Sequence, residues 1–512
     1  MSHIKEEQHS SPAVFRIVDL FAGPGGLDVA ADVLGYQITG IECDAGACAT
    51  RSAAGMNTFK GDVRQYRAAF FPDAQVLTGG PPCQTFTVAG HGAGRRALDQ
   101  VVEYIERLHD AVRNNDQDWT EIFRTWRRIF EELRRKEIEA KEVKAEKSNV
   151  ENLRGKVRKA MRKRLETLGN SQGEIKSFLK RLKAPQALAS SDGELKVLIK
   201  EFCDLNDELA KLKDKLEELG DERTGLVLQP LWWVIERSRR PGSEPYEAVV
   251  LEQVQAVMPV WEKYAEVFAT LGYRTRTQLL HTEAFGVPQT RRRAVLMARV
   301  GRTSLAEVPE THERYQTGSR PSTRASKAAH ADVLPLEAPK AAWVSMEAAL
   351  KKARSIAPDL PERPAFTVIS NYGTGGVPEA RGRRDHDAPS STITGKVSRN
   401  RVVHKGTDED LPGDLSRFAP AEAGVLQTFP VAYPWTGNDV PQQIGNAVPP
   451  RLALHVLLRV LEPGLSAEEA RSRLEQATTD LENWTPGEPV EIRRHVDREG
   501  HLLTGRRPVS HP

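Results

Sequence analysis

The segment from Phe15 to Leu34 most constrains how this chain can fold. It runs from an apolar stretch, FRIVDLF, through a glycine turn at 22–26 into a helical pattern from Leu27 to Leu34. A strand, a glycine turn and a helix in this order are typical of α/β proteins that bring backbone close to a ligand at the helix N-terminus. A second strand, Ile38 to Ile41, ends in Glu42, an acid well placed to hold ribose hydroxyls.

The same alternation continues and then resumes after a long interruption. A third short strand ends at Gly61-Asp62-Val63, where the carboxylate could accept a hydrogen bond from an exocyclic amine. Further strands are predicted at 247–251, ending in Glu252, at 276–280 and at 294–298, with helices at 226–239 and 254–271. A doubly wound parallel sheet is the predicted architecture. The alternative for each acid is a solvated loop carboxylate.

The motif GGPPCQTF places Cys83 between two prolines and a glutamine, just past a short apolar run at 74–77. A cysteine at a strand end on a stiffened turn is positioned as a nucleophile in an open α/β sheet. A thiolate there can attack an electron-poor ring carbon. The alternative is a loop that carries a buried thiol.

Composition excludes several classes of protein. The 512 residues suffice for two or three domains, and the net charge of +3 does not by itself indicate a nucleic-acid partner. None of the cysteines Cys43, Cys48, Cys83 and Cys203 forms a C-x-x-C pair, so neither a zinc site nor a disulfide framework is indicated. No stretch has membrane-span length, and the N-terminus is polar without a signal-peptide core. We therefore expect a cytoplasmic protein without a metal or a membrane contact.

The interruption, residues 98–220, is dense in Glu, Lys, Arg and Leu and carries two heptad patterns. The first includes Trp126, Val143, Val150, Val157, Met161 and Leu168, and the second Leu195, Leu198, Phe202, Leu205, Leu209, Leu212, Leu216 and Leu219. Together they predict an inserted antiparallel coiled-coil hairpin. From Glu151 to Lys183 there are eleven Lys or Arg against three Glu. This region is either a solvated arm for self-association or a partner, or a surface that contacts DNA phosphates.

Residues 301–411 are rich in Pro, Ser, Arg and Gly, with weak periodicity, and predict irregular strands and loops. We therefore predict a tail at 1–13, a sheet domain in three parts (14–97, 221–300 and 412–464), the helical insertion at 98–220, a separate region at 301–411, and a C-terminal helix and tail at 465–512.

The ordered motifs DLFAGPGG, IECD, GDV, GGPPCQTF, VLEQV, GVPQTRRR, LSRFAPAEAGVLQTFP and QQIGNAVPP resemble those of the DNA (cytosine-5)-methyltransferase family. The resemblance covers roughly 14–97, 221–300 and 415–461. It implies a Rossmann-like, S-adenosylmethionine-dependent methyltransferase sheet, in which 301–411 is the target recognition region.

The resemblance also implies roles for four catalytic residues. Cys83 matches the nucleophile that adds to carbon 6 of cytosine, and Glu252 matches the glutamate that protonates or hydrogen-bonds ring nitrogen 3. Arg293 matches the arginine that holds the base carbonyl, and Arg291 a supporting position.

S-adenosylmethionine is the implied methyl donor, and no metal is implied. The positions that match its binding site are Phe21, Ala22, Gly23, Gly25, Gly26, Leu27, Glu42, Cys43, Asp62, Val63, Pro82, Leu226, Asn446 and Val448. The implied partner is double-stranded DNA, whose target base must be swung out of the helix. Residues 85–94 would form a loop that closes on the DNA, Arg223 would lie near its backbone, and 373–401 carries candidate sequence readers. The insertion is a candidate contact for a cognate restriction or defence protein.

The chain departs from the family pattern in two ways, and two other functions are considered. Gln253 stands where the family has an asparagine that braces the nucleophile loop, so its geometry could loosen, and the long insertion is unusual for the family. The chain could instead methylate cytosine in RNA, because a close relative of the family does so with a similar PPCQ centre. A catalytically weak DNA-binding or coiled-coil scaffold is the non-enzymatic alternative.

Overall fold

The computed structural model describes residues 14–82, 93–115, 118–181, 192–220, 224–302, 304–317, 340–371 and 382–494. The chain divides into two compact units. The first comprises Met1–Thr87, Ile105–Ile122 and Leu226–Pro512, and the second comprises Val88–Tyr104 and Phe123–Gly225.

The first unit is built on a seven-stranded sheet. Its strands are β1 (Arg16–Leu20), β2 (Gln37–Glu42), β3 (Thr58–Lys60), β4 (Val76–Gly79), β5 (Ala248–Val254), β6 (Tyr273–His281) and β7 (Arg292–Val300). The spatial order is β3-β2-β1-β4-β5-β7-β6. The order reverses between β1 and β4, and in such sheets ligands bind outside the carboxyl ends of the strands at that point.

The prediction of an all-parallel sheet is wrong for one strand. β7 runs antiparallel to both β5 and β6, whereas β1 to β5 pair in parallel. Residues 282–291, which join β6 to β7, contain only the short 3-10 turn Thr282–Phe285. A parallel pairing needs a crossover of about a dozen residues or more, usually through a helix, so this connection forces an antiparallel pair.

Helices α1 (Gly26–Val33) and α2 (Ala45–Ala53) flank the first strands and are joined by a buried ion pair. Arg51 of α2 and Asp28 of α1 approach to 2.6 Å, and their side chains are 0% and 1% exposed. The Arg51 Nε also donates to Thr58 Oγ1 at 2.9 Å. A Cβ on Gly40 would lie 2.2 Å from Arg51 Nη2, so only glycine in β2 leaves room for the guanidinium.

We expect Arg51→Met to destabilise the first unit by about 3–5 kcal/mol, because it leaves the Asp28 carboxylate buried without its counter-charge. Urea unfolding followed by tryptophan fluorescence measures the loss. The double variant Arg51→Met/Asp28→Leu removes both charges and should recover a large part of it. Equal losses in the single and double variants would show that the uncompensated charge is not the cause.

Four helices lie between β4 and β5: α3 (Ala93–Asn114), α4 (Trp119–Thr167), α5 (Gln172–Arg181) and α6 (Gly193–Leu219). At about 1.5 Å per residue, the 49 residues of α4 extend over about 73 Å. Within the second unit, α4 and α6 share the cluster Val143, Val150, Leu209 and Leu212. A second cluster joins α4, α5 and α6 through Val157, Met161, Leu165, Ile175, Leu179, Leu195, Ile199 and Phe202.

The predicted heptad positions agree with these contacts in part. Val143, Val150, Val157 and Met161 are buried, but Leu168 is 45% exposed, because α4 ends at Thr167 and Gly169 turns the chain at φ +81°. Ile199 is fully buried although it lies off the predicted seam, and α5 was not predicted as a separate helix. The coiled-coil geometry of the pair stays a prediction.

The remaining helices are α7 (Thr224–Val227), α8 (Gln229–Arg239), α9 (Met258–Thr270), α10 (Met346–Ile356), α11 (Pro420–Leu426), α12 (Val440–Asn446), α13 (Pro450–Leu461) and α14 (Ala467–Glu482). The region predicted to be irregular contains a small antiparallel sheet of β8 (Phe366–Ile369), β9 (Arg383–Asp385) and β10 (Arg401–His404), in the order β10-β8-β9. Across the described ranges, every helix is too short or too polar to cross a bilayer.

Candidate active site at the carboxyl edge of the sheet

The glycine turn after β1 is shaped by three residues in the left-handed region. Phe21, Gly23 and Gly25 have φ values of 63°, 54° and 104°. A Cβ on Gly25 would lie 2.3 Å from Met56 Sδ, whereas a Cβ on Gly23 would meet nothing within 4 Å. The turn is therefore packed on one side and open at Gly23, where a ligand can approach the backbone.

Glu42, the last residue of β2, is held against this turn by backbone amides. Its Oε2 accepts from Gly23 N at 2.8 Å, and its Oε1 accepts from Cys43 N at 2.8 Å and Asp44 N at 2.7 Å. The predicted cofactor residues Gly23, Glu42 and Cys43 thus form one cluster, with the Glu42 carboxylate fixed beside the open face of Gly23.

Asp62 lies next to this cluster because Gly61 N donates to the Glu42 carbonyl at 3.0 Å. Its carboxylate accepts from Arg64 N at 2.9 Å and pairs with the Arg64 guanidinium at 2.6 Å. Val63, the next residue, is buried. A ligand amine at Asp62 would therefore share the carboxylate with Arg64.

The C-terminal motif returns to the same turn. A Cβ on Gly26 would lie 2.0 Å from the carbonyl oxygen of Val448, so only glycine allows this approach. Asn446 is exposed, and its Oδ1 accepts from Gln442 Nε2 at 2.8 Å. Ala22 N donates to Ile41 O at 3.1 Å, and Leu27 is buried in the core. Leu226 lies half-buried in α7, and its part in a cofactor site stays a prediction.

Asp19, near the end of β1, is a buried acid for which the motifs predict no role. It is 1% exposed, and Thr78 Oγ1 of β4 donates to its Oδ1 at 2.6 Å. Burial, together with the nearby charge of Asp28, raises the pKa of Asp19 to about 8. The signal in the sequence was an acid inside the apolar run FRIVDLF.

The predicted nucleophile lies outside the described residues. This applies to Cys83, to most of the predicted mobile loop 85–94, and to Arg223. What the structure describes is the approach to Cys83: β4 ends at Gly79, and the chain continues through Gly80 and Pro81 to the half-buried Pro82.

Glu252 and Arg293 meet beside this approach. The sequence predicts that the strand stops at residue 251, just before Glu252. In the structure Glu252 lies inside β5, because β5 continues to Val254 in register with β7. Arg293 Nε lies 2.5 Å from Glu252 Oε1, and both side chains are 11% exposed. The two atoms are close enough to form an ion pair. Among the described residues, however, no donor has hydrogen-bond geometry toward Glu252 Oε1. A Cβ on Gly80 would lie 3.6 Å from Glu252 Oε2.

Gln253 provides the contact that its family counterpart is expected to make. Its Nε2 donates to the carbonyl oxygen of Pro81, two residues before Cys83, and its Oε1 accepts from Val254 N at 2.5 Å. Gln253 is buried, so the extra methylene is accommodated while the amide still reaches the turn.

Gln253→Ala should lower turnover of the methyl transfer that the family resemblance implies at least tenfold, because it leaves the Pro81 carbonyl without its donor and loosens the chain that leads to Cys83. An unsatisfied buried acceptor costs about 1–3 kcal/mol. Single-turnover kinetics measure the effect, and thermal unfolding separates it from a general loss of stability. Gln253→Glu, which keeps the length but not the donor, should behave like the alanine variant. Wild-type turnover in both variants would contradict this role.

Arg291 is fully buried and holds backbone carbonyls. Its Nη1 donates to Ile393 O and Gly445 O, both at 3.0 Å, and its Nη2 to Ala447 O at 3.4 Å. Burial, with the nearby charge of Arg293, lowers the pKa of this guanidinium. These contacts let Arg291 position the C-terminal motif, whereas a direct catalytic role stays a prediction. The sequence did not reveal these partners, because they lie more than 100 residues away.

Comparison with known proteins identifies the family of this chain. Residues 15–113 and 247–462, more than half of the chain, match the model of the C-5 cytosine-specific DNA methylases. The chain belongs to this family. Across the described residues, no group of three His, Cys, Asp or Glu side chains could hold a metal ion.

Two bacterial relatives are similar over parts of the chain. The Type II methyltransferase M1.HphI of Haemophilus parahaemolyticus is 28% identical over 207 residues, which is 38% of this chain and 50% of that protein. The Type II methyltransferase M.NgoPII of Neisseria gonorrhoeae is 37% identical over 90 residues, which is 16% of this chain and 26% of that protein. The chain thus spans about half the length of the first relative and about a quarter of the second.

Among solved structures, the Dnmt2 methyltransferase of S. pombe is similar at 14% identity with a TM-score of 0.42. The match covers 88% of this chain and all of that chain.

Proposed function

We propose that this chain is a DNA methyltransferase that transfers a methyl group from S-adenosylmethionine to carbon 5 of a cytosine swung out of duplex DNA. The observation that carries the proposal is the Glu252–Arg293 pair, which lies beside the turn that leads to Cys83. This pair supports the proposal because it lies beside Gly80, three residues before the cysteine of the family motif.

The edge of the sheet fits the cofactor. The open face of Gly23, the fixed carboxylate of Glu42 and the close approach of Val448 to Gly26 form a cradle for a nucleoside with an attached chain. S-adenosylmethionine, when bound, supplies an electrophilic methyl group on sulfur. In this proposal, residues 21–27 hold its methionine part, Glu42 its ribose and Asp62 its adenine amine. Pro82, Leu226, Asn446 and Val448 line the pocket.

The chemistry follows from the assembled side chains. The Cys83 thiolate forms a bond to carbon 6 of cytosine, while Glu252 delivers a proton to nitrogen 3 and Arg293 holds the base carbonyl. The ring electrons then make carbon 5 nucleophilic, and it takes the methyl group as the bond from that methyl to the donor's sulfonium sulfur breaks, which leaves S-adenosylhomocysteine. Carbon 5 loses its proton to a base, the bond from sulfur to carbon 6 breaks, and the proton on nitrogen 3 returns to Glu252, so that both the thiolate and the carboxyl are restored. Such proton transfer contributes about 10²–10⁴ to a rate.

Recognition of the target requires a flipped base and a readout of its neighbours. Within the predicted recognition region, Arg383 pairs with Asp408, and Arg384 lies 4.5 Å from the centre of the Tyr315 ring. Lys396 and Arg399 are exposed. Because both side chains are exposed, we propose Lys396 and Arg399 as candidates for base or phosphate contacts. Arg381 lies outside the described residues.

The setting we propose is a bacterial restriction-modification or phage-defence system in the cytoplasm. It is supported by the two relatives, both of which are named Type II methyltransferases of bacteria. A cognate endonuclease or defence protein is a proposed partner, with the helices of the second unit as its contact.

The test is methyl transfer from labelled S-adenosylmethionine to genomic DNA and to transfer RNA, followed by bisulfite sequencing of the DNA. We expect label at carbon 5 of cytosine in one short DNA sequence. Label only in RNA would favour the alternative substrate. A protein that binds DNA yet labels neither polymer and forms no adduct with 5-fluorocytosine DNA would support the scaffold.

A further inference from the structure

The second unit carries a patch of cations on α4 and α5. Seven exposed side chains form this basic patch: Lys156, Arg158, Lys159, Arg162 and Lys163 of α4, and Lys176 and Lys180 of α5. Among the described residues, none of the seven makes an ion pair or a hydrogen bond. Packing in the cluster of Val157, Met161, Leu165, Ile175 and Leu179 holds both helices together, so the seven cations are carried by one folded part of the second unit.

The preceding part of the same helix is different. There, cations of α4 pair with acids four residues away, and one acid of α4 pairs with a cation of α6: Lys136 with Glu132, Lys141 with Glu137, Lys147 with Glu151, and Glu139 with Lys215. Such pairs stabilise exposed helices. Positive and negative side chains are therefore balanced along α4 up to Glu151, whereas positive side chains predominate after it.

The few acids near the basic patch do not neutralise it. Glu166 accepts from Gln172 at 3.0 Å, and Glu174 accepts from Ser171 at 2.7 Å. Asp192 and Glu194 both pair with Arg164, at 2.6 Å and 3.0 Å. The local acids thus bond to a glutamine, to a serine or to a different arginine.

Like charges repeat along the helix surface. Arg158 and Arg162 are four residues apart, as are Lys159 and Lys163, and like charges at this spacing destabilise a helix. Lys156, Lys159 and Lys163 also lie on the face opposite the buried Val157, Met161 and Leu165 and span about 10 Å along the axis. An arrangement that destabilises the isolated helix is explained if a polyanion neutralises it.

We propose that the basic patch binds the phosphate backbone of duplex DNA, without reading its sequence. This inference rests on the proposed DNA substrate, which offers one phosphate per about 3.4 Å along each strand. The patch would add affinity that depends steeply on salt, because each neutralised phosphate releases counterions.

The test compares two variants of the full chain, each lacking three positive charges. Lys156→Gln/Lys159→Gln/Lys163→Gln removes the outward row of the basic patch. Arg134→Gln/Arg135→Gln/Lys211→Gln is the matched control, because these residues are also exposed in the second unit but lie outside the patch. Circular dichroism confirms that both variants remain helical, and fluorescence anisotropy measures their binding to a 30-base-pair duplex from 50 to 300 mM KCl.

We expect the patch variant to bind at least tenfold more weakly at 100 mM KCl and its log–log salt slope to fall by about 2–3, since each contact contributes about 0.9. The control should keep the wild-type slope. An unchanged slope in the patch variant, or an equal fall in the control, overturns the proposal. Adduct formation by the wild-type protein with 5-fluorocytosine DNA is measured in parallel. If that adduct forms while the slope is unchanged, only the patch proposal fails, whereas absence of the adduct counts against the proposed function.

Discussion

Replacing Cys83 by alanine should abolish methyl transfer, with turnover at least about 10⁴-fold below that of the wild-type protein. Removing a covalent nucleophile costs up to about 10⁶ in well-studied hydrolases, because no other group takes over the bond it forms. Here the lost bond is the one from sulfur to carbon 6, without which carbon 5 of cytosine is a poor acceptor of a methyl group. Label transfer under single-turnover conditions measures the rate, and mass spectrometry after incubation with 5-fluorocytosine DNA measures the adduct.

The matched control is Cys203→Ala, which makes the same change in α6 of the second unit. It should keep wild-type turnover and the adduct. The Cys83 variant should still bind duplex DNA and unfold at the wild-type temperature, which separates lost chemistry from lost structure. If Cys83→Ala still placed methyl groups on carbon 5, the covalent route would be wrong, even if DNA remained the substrate.

Glu252→Gln should lower kcat by about 10²–10⁴-fold and change KM for DNA by only a few fold. The amide cannot deliver a proton to nitrogen 3, and general acid catalysis is worth about this factor. The change also removes the negative charge 2.5 Å from Arg293 Nε, so the guanidinium loses the group that orients it. Steady-state kinetics on a duplex that contains the target site give both constants.

Glu247→Gln is the control for this change. Glu247 directly precedes β5, at the opposite end of the strand, and accepts from Gln75 Nε2 at 2.9 Å. The glutamine can still accept that bond, so we expect wild-type kinetics. Turnover of Glu252→Gln within threefold of wild type would show that another group protonates the base, and Arg293 would then need a separate test.

Local sequence signals predicted much of the fold. The helix predicted at 226–239 is present as α7 and α8, and α8 ends at Arg239, where the sequence predicts. The apolar runs around Arg16–Leu20 and Val76–Gly79 predicted two central strands, since parallel strands buried on both faces are apolar throughout. The motifs that carry the family resemblance also indicated Glu252 and Arg293, which the structure brings together.

What escaped prediction depends on contacts between distant parts of the chain. The contact of Gln253 with Pro81 spans 172 residues, and that of Arg291 with Gly445 spans 154. No local pattern encodes the partner of a buried amide or guanidinium. The reversed direction of β7 likewise follows from a connection too short for a crossover rather than from the composition of the strand.

The close approach of Val448 to Gly26 has a consequence for synthesis of the protein. The glycine turn after β1 is synthesised more than 400 residues before Val448, which packs against it. Arg291 is likewise synthesised before Gly445 and Ala447, whose carbonyl oxygens accept its hydrogen bonds. Contacts between such distant segments slow folding, because the chain must close long loops before they form. A nascent chain that already carries the thiol and the acid would therefore lack a finished pocket, and its activity would begin only after residues 445–448 have been synthesised.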